Sequence, residues 1–321
     1  MRKKYGLRWR RCAEKRTCGE DRNKWQLRSE TLKEKLKDNL NSKICLVTGA
    51  TNGIGKATAQ ALAQMGATVV IVGRDAQKAA RVTGEIRAAS GNQNVDWLLA
   101  DLSAQQEVRR LAGEFMSKYQ HLHVLLNNAG ATFMSRQLSV DGIEMTFALN
   151  HLAYFLLTNL LLDTIIASAP ARIINVSSGA HSGGKIDFDN LQGERSYSRF
   201  EPYGNSKLAN ILFTTELAHR LEGTGVTVNA LHPGVTSTGF GQNNPGLLMK
   251  IMGAVLPLIA QSPEKGAETS IYLASSPEVQ SITGKYYVNC KVTQPAPQAA
   301  DMVVARKLWD ISAEMEQNGK S

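Results

Sequence analysis

The chain has 321 residues, a formal net charge of +9 and 43% hydrophobic residues, enough for one large or two small globular domains with a real core. The charge is uneven: residues 1–43 hold 15 Lys/Arg against 6 Asp/Glu, while residues 44–321 hold 22 of each. A neutral body argues against a basic field for nucleic acid, and the leader shows no run apolar enough for a transmembrane helix or a secretory signal.

Residues 1–42 read as a basic, disordered leader. Ser29 to Leu40 is a candidate amphipathic helix, and weak peripheral contact with an anionic membrane is the minority reading. Past the leader, strand-like and helix-like segments alternate. Ile44–Thr48 reads as a strand, Ile54–Met65 as a helix closed by Gly66, and Thr68–Val72 as a β-branched strand. Ala76–Ala89 follows as a helix, Val95–Leu99 as a strand, Ala104–Tyr119 as a helix and Leu122–Leu126 as a strand. One long helix is expected over 142–167, then the strand Arg172–Val176, the helix Tyr203–Leu221 and the strand Val226–Leu231. Pro263–Ala274 closes the alternation as a helix, with a short strand at Tyr286–Val288 and a terminal helix within 297–316. This order implies an α/β fold, a Rossmann-type doubly wound parallel sheet with helices on both faces. The expected division is one domain over 43–300 and a C-terminal helix and tail over 301–321.

The first strand runs into TGATNGIG, and a helix opens directly after it. Glycines 49, 53 and 55 permit a tight turn and close backbone approach, and the helix N-terminus offers N–H groups to a pyrophosphate. Gly49, Thr51, Asn52, Gly53, Ile54 and Gly55 are therefore candidate cofactor contacts. The second strand ends at Gly73-Arg74, where NAD enzymes usually present a carboxylate to the ribose hydroxyls. A guanidinium suits a 2′-phosphate, and Lys56 adds to the same field, so NADP is expected over NAD. The alternative is that Arg74 merely pairs with Asp75. Asp101-Leu102 follows the third strand, and Asn128-Ala129-Gly130 the fourth. Both stand at C-terminal strand ends, where open α/β sheets bind ligands.

Tyr203 and Lys207 lie four apart at the start of a helical run, which puts phenol and ammonium on one face. A cation beside a phenol lowers its pKa and suits it to proton exchange with an alcohol or carbonyl near neutral pH. Ser178 sits at the end of the preceding strand, where a hydroxyl can hold a substrate oxygen. Asn150, within FALNHLAYFLL, is a polar residue on an apolar helix and needs partners. His181 and His232 are read as structural, since neither has metal or triad spacing. Cys12, Cys18, Cys45 and Cys290 show no metal-ligand spacing, and no metal is expected. Free thiols in a reducing cytoplasm are.

TGATNGIG, NNAG at 127–130, Asn150, Ser178, YGNSK at 203–207 and Pro233-Gly234 occur in the order of the short-chain dehydrogenase/reductase superfamily, which residues 43–290 resemble. The 25-residue interval from Ser178 to Tyr203, the phrase KIDFDNLQGE inside it and SKLANILF after it resemble the retinol-dehydrogenase-like branch. The resemblance implies that Tyr203 is the general acid/base and that Lys207 lowers its pKa and binds the nicotinamide ribose. It implies that Ser178 positions the substrate oxygen, and that Asn150 anchors a water linking Lys207 to solvent. Pro233, Gly234 and Thr238 would complete the cofactor site, with Thr238 at the nicotinamide amide. The implied reaction is hydride transfer between a nicotinamide and a carbonyl or carbinol carbon.

The connection 236–262 is long and apolar. Phe240, Leu247, Leu248, Met249, Ile251, Met252, Val255 and Leu256 are candidates to roof a pocket for a small lipophilic aldehyde, ketone or alcohol. The competing reading is helical turns packed on the body. The apolar helices 142–167 and 203–221 are candidates for pairing in a homodimer or homotetramer. A non-catalytic NADP-binding sensor of the same fold stays open as the alternative function, as does nucleic-acid binding through the leader, which the block of basic residues alone would carry.

Overall fold

Runs of Val, Ile and Leu without polar alternation must be covered on both faces, and the chain covers them. In the computed structural model, which describes residues 40–234 and 261–318, eight strands form one sheet in the order β3-β2-β1-β4-β5-β6-β7-β8. They are β1 Ile44–Thr48, β2 Thr68–Gly73, β3 Val95–Leu99, β4 Val124–Asn127, β5 Ala171–Val176, β6 Val226–His232, β7 Tyr286–Val288 and β8 Lys291–Val292. The first seven are parallel, and β8 runs antiparallel to β7. The sequence reading missed β8, which has only two residues, both exposed.

The helices are α1 Gly53–Gln64, α2 Ala76–Ser90, α3 Gln105–Lys118, α4 Met145–Phe147, α5 Ala153–Leu160, α6 Leu162–Ala167, α7 Glu201–Arg220, α8 Pro263–Ser275 and α9 Met302–Asn318. Leu62, Val82, Ile86 and Leu273 fill one side of the sheet, beneath α1, α2 and α8. Leu111, Phe115, Phe155, Phe213 and Leu217 fill the other, beneath α3, α5 and α7. Strand order reverses between β1 and β4, so the ends of these strands open onto a crevice.

The single helix expected over 142–167 is not what forms. A π-helical turn at Ala148–Leu152 separates α4 from α5, and α6 is a further short piece. The cause is polar. Asn150 and His151 are adjacent and both essentially fully buried. The wider turn lets Asn150 reach Ala131 and Ser206 while His151 reaches Asn210 and Ser312. An α-helical turn would aim two successive residues 100° apart, and π-turns of this kind recur at functional sites.

The C-terminal helix α9 is packed into the molecule. Trp309 stands edge-on to Phe155 with ring centroids 4.9 Å apart and stacks with Phe213 at 5.8 Å. The Arg220 guanidinium lies 4.1 Å from the Trp309 ring centroid, at cation–π range. Leu308 and Ala305 join Leu208 and Leu212 of α7. The chain's own helix therefore covers part of the α5/α7 face expected to meet a second subunit. Trp309→Ala should lower the unfolding free energy by about 2–4 kcal/mol, read from denaturant melts.

Candidate active site

The first βα junction is built for close approach. Gly49 has φ +64, and a Cβ there would come within 2.7 Å of the Ala129 Cα. A Cβ on Gly55 would meet the Gly49 carbonyl oxygen and Asn128 Nδ2 at 2.5 Å. Only glycine leaves the turn this tight. Asn128 braces it: its Nδ2 donates to the carbonyls of Thr48 at 2.8 Å and Gly49 at 3.2 Å. Thr48 Oγ1 in turn accepts from the backbone N–H groups of Asn128 and Ala129. The ends of β1 and β4 are thereby fastened side by side beneath the crevice.

At the other end of the crevice lie Ser178, Tyr203 and Lys207. Tyr203 and Lys207 occupy the first turns of α7, and the Lys207 ammonium is 5.7 Å from the centre of the Tyr203 ring. Lys207 is 3% exposed and donates to the Val176 carbonyl at 3.1 Å. Burial pulls its pKa from 10.5 down to about 7. Burial also raises the Tyr203 phenol, and a hydrogen bond from Ser178 works in the opposite direction. The phenol was expected to be depressed by the ammonium. Instead desolvation acts on both, raising the phenol and lowering the ammonium.

The two serines at the end of β5 have separate tasks. Ser177 Oγ donates to the Lys207 carbonyl at 2.7 Å and is buried. Ser178 faces the crevice, where its Oγ accepts from Ala180 N at 3.2 Å and bonds to Tyr203. Asn150 does not line the crevice but stands directly behind it. Its amide exchanges two hydrogen bonds of 2.9 Å with the Ala131 backbone and donates to Ser206 Oγ at 3.0 Å. Its own carbonyl accepts from Asn210 Nδ2 at 2.9 Å.

One crevice of about 540 Å³ brings these groups together. Gly49, Thr51, Asn52, Gly53, Ile54 and Gly55 line it, as do Arg74, Asp101 and Leu102. So do Asn128, Ala129, Gly130, Ser178, Tyr203, Lys207, Pro233 and Gly234. Thr238 and the apolar residues 240–256 lie outside the described residues, as do Cys12, Cys18 and the leader up to residue 39. Arg74 is exposed and forms no ion pair among the described residues, since Asp75 caps α2 through Lys78 N. Lys56 differs from expectation: it pairs with Glu85 at 2.6 Å and does not line the crevice.

The family model for short chain dehydrogenases matches residues 43–245. The chain belongs to the short-chain dehydrogenase family. Human retinol dehydrogenase 14 is 45% identical over 291 residues, covering 86% of this chain and 87% of that protein. Human retinol dehydrogenase 13 is 43% identical over 284 residues, covering 87% and 86%. The chain thus falls in the retinol-dehydrogenase-like branch, whose members are oxidoreductases acting on alcohol and carbonyl groups. Among solved structures, the Pseudomonas aeruginosa RhlG/NADP active-site complex is 30% identical with a TM-score of 0.62, covering 78% of this chain and 95% of that one. An uncharacterized protein from Mycobacterium Paratuberculosis reaches a TM-score of 0.70 at 30% identity, covering 86% and 94%. The glycine cradle that any Cβ would fill fits the dinucleotide this family uses.

In this short-chain dehydrogenase, sequence reasoning missed the apolar wall of the crevice. Phe133, Met145 and Leu149 line it. Met145 and Leu149 are four apart, a helix-face signal that the expected long helix hid among many other apolar residues. Tyr154 was also missed. It is buried, donates to the Ala129 carbonyl at 2.8 Å and holds its ring 5.7 Å from the Lys207 ammonium. It follows Asn150 by one turn, and that spacing was the available signal. His232, read as structural, is in the crevice wall, where burial and then His181 lower its pKa. His181 is structural as expected: its ring bridges the Ser178 carbonyl and Ala296 N.

Gly55→Ala should abolish dinucleotide binding in a fluorescence titration, because the obstacles it meets are backbone and a bracing amide. Lys207 gives a stability signature. Its folded pKa lies below its unfolded value, so between about 7 and 10.5 the unfolded chain holds more protons. Stability from this residue therefore rises with pH across that window. Lys207→Met should flatten that slope and, below about pH 7, stabilise the protein by ~1–3 kcal/mol in urea melts.

Proposed function

We propose that the protein is an NADPH-dependent reductase of lipophilic aldehydes or ketones, with Tyr203 as its general acid. The observation that carries this is the convergence of Tyr203, Ser178 and Lys207 on the same crevice as the glycine cradle and Arg74. When bound, the nicotinamide supplies or accepts the hydride. The Ser178 hydroxyl holds the carbonyl oxygen, and Tyr203 delivers its proton to that oxygen. The Lys207 cation stabilises the tyrosinate left behind, and Asn150 keeps the Ala131 backbone in place beside it. In the oxidative direction the same phenolate takes the proton back. Arg74, without a carboxylate partner among the described residues, suits a 2′-phosphate. The wall of Phe133, Met145 and Leu149 suits an apolar substrate body, and the similarity to retinol dehydrogenases points the same way. Among the described residues no helix is long and apolar enough to cross a membrane. A reducing, cytoplasmic setting is part of the proposal; Cys45 and Cys290 form no disulfide among the described residues.

Three measurements test this reading. NADPH consumption with a panel of aldehydes should fall ~10²–10⁴-fold in Tyr203→Phe while NADPH binding persists. A non-catalytic sensor would bind NADPH and show no turnover even as wild type. Arg74→Ala should raise KM for NADPH ~10–100-fold and leave that for NADH within twofold, as loss of a charge-assisted hydrogen bond predicts. The rate of reduction should decline as pH rises through about 7, where Lys207 loses its proton and the tyrosinate its counter-ion.

A further inference from the structure

The 24-residue excursion between Ser178 and Tyr203 does more than connect two groups of the site. It fastens to the segments that carry the apolar wall. Tyr197 is the centre of the fastening. Its phenol oxygen lies 3.1 Å from the Phe133 carbonyl and 3.1 Å from Glu144 Oε1. Glu144 is 2% exposed, and no lysine or arginine pairs with it among the described residues. Backbone and phenol hold it instead. Oε1 accepts from Thr146 N at 3.0 Å and Oε2 from Phe147 N at 2.7 Å, which caps α4. A second fastener runs alongside: Gln192 Oε1 accepts from Glu144 N at 3.1 Å, and the Gln192 carbonyl accepts from Arg136 Nε at 2.9 Å. The excursion folds tightly to allow this. Gly193 has φ +66, and a Cβ there would meet Tyr197 Cδ2 at 2.7 Å.

What the clasp grips is the wall. Phe133 lines the crevice and lends Tyr197 its carbonyl. Met145 and Leu149 line it on the turns that Glu144 caps. A buried carboxylate without a cation is costly unless its hydrogen bonds are complete. The Tyr197 hydroxyl belongs to that set, so removing it loosens both segments at once.

We infer that the Tyr197–Glu144 clasp is the specificity-setting device of this crevice, holding the Phe133, Met145 and Leu149 wall against which the apolar chain of a carbonyl substrate lies. Tyr197 and Glu144 are positioning residues, and the inference rests on the reductase reading above. The test compares Tyr197→Phe with wild type on butanal and decanal, and by calorimetric titration of decanamide, which the reaction cannot reduce, into the NADPH-loaded protein. Tyr197→Phe should lower the decanal-to-butanal ratio of kcat/KM about tenfold, mainly through KM for decanal, and weaken decanamide binding by a similar factor. Gln192→Ala, which removes the side-chain bond of the parallel fastener and leaves its backbone bond to Arg136, should shift both in the same direction by a smaller factor. An unchanged ratio, or equal losses on both aldehydes with decanamide affinity intact, would overturn the clasp. A wild type that turns over no aldehyde, yet loses decanamide affinity on Tyr197→Phe, would keep the clasp and sink the reductase.

Discussion

The hydrogen bond from Lys207 to the Val176 carbonyl joins the end of β5 to the first turns of α7 and sets the terms for everything around it. An ammonium this deeply buried is expensive, and one carbonyl does not replace its hydration. The same carbonyl also receives Asn210 Nδ2 at 3.4 Å. Asn210 sits three residues after Lys207, and Thr214 four after that, so the two continue the Tyr203–Lys207 face down the helix. Thr214 Oγ1 accepts from Asn175 on β5, whose Oδ1 accepts from Asn127 on β4, and Asn127 also donates to Thr158. A ladder of neutral amides and hydroxyls thus runs from the crevice into the core. It lets a charge exist at the top of an otherwise apolar interior, while burial holds the pKa of that ammonium down at about 7.

The ladder also reaches the chain's C-terminus. Asn210 Oδ1 lies 3.3 Å from His151 Nδ1, and His151 Nε2 lies 3.1 Å from Ser312 Oγ on α9. Burial pushes His151 down to about 4, so at neutral pH its ring is uncharged and serves as one donor and one acceptor. The π-turn that places Asn150 places His151 too. One local irregularity therefore fixes the amide behind the crevice and fastens the last helix, which in turn covers Phe155 and Phe213 with Trp309.

What the sequence made legible is what depends on near neighbours. Unbroken β-branched runs such as TVVIV read as buried parallel strands, and the glycine turn after β1 declares itself because only glycine fits there. The Tyr203–Lys207 spacing is likewise local. What stayed hidden depends on distant partners. Nothing in FALNHLAYFLL marks a π-turn until Ser206, Asn210 and Ser312 are known to stand opposite. The partner of Lys56 is Glu85, 29 residues on, and its claim outweighed the nearby glycine turn. The direction of the Tyr203 shift required knowing how much water burial removes, a quantity that charge spacing alone does not carry.

The two sides of the crevice are held by different means. The dinucleotide side is rigid backbone: glycines pressed against Ala129 and a turn braced by Asn128, with little tolerance for any side chain. The apolar wall is held by two segments joined by side-chain hydrogen bonds, from Tyr197, Gln192 and Arg136, around one buried carboxylate. Backbone packing of the first kind cannot change without dismantling β1 and β4. A clasp of the second kind can be retuned by one residue while the sheet, the glycine turn and the Tyr203–Lys207 pair stay where they are. The two sides of the crevice are secured by interactions that share no residue, so a change in the clasp need not disturb the glycine turn.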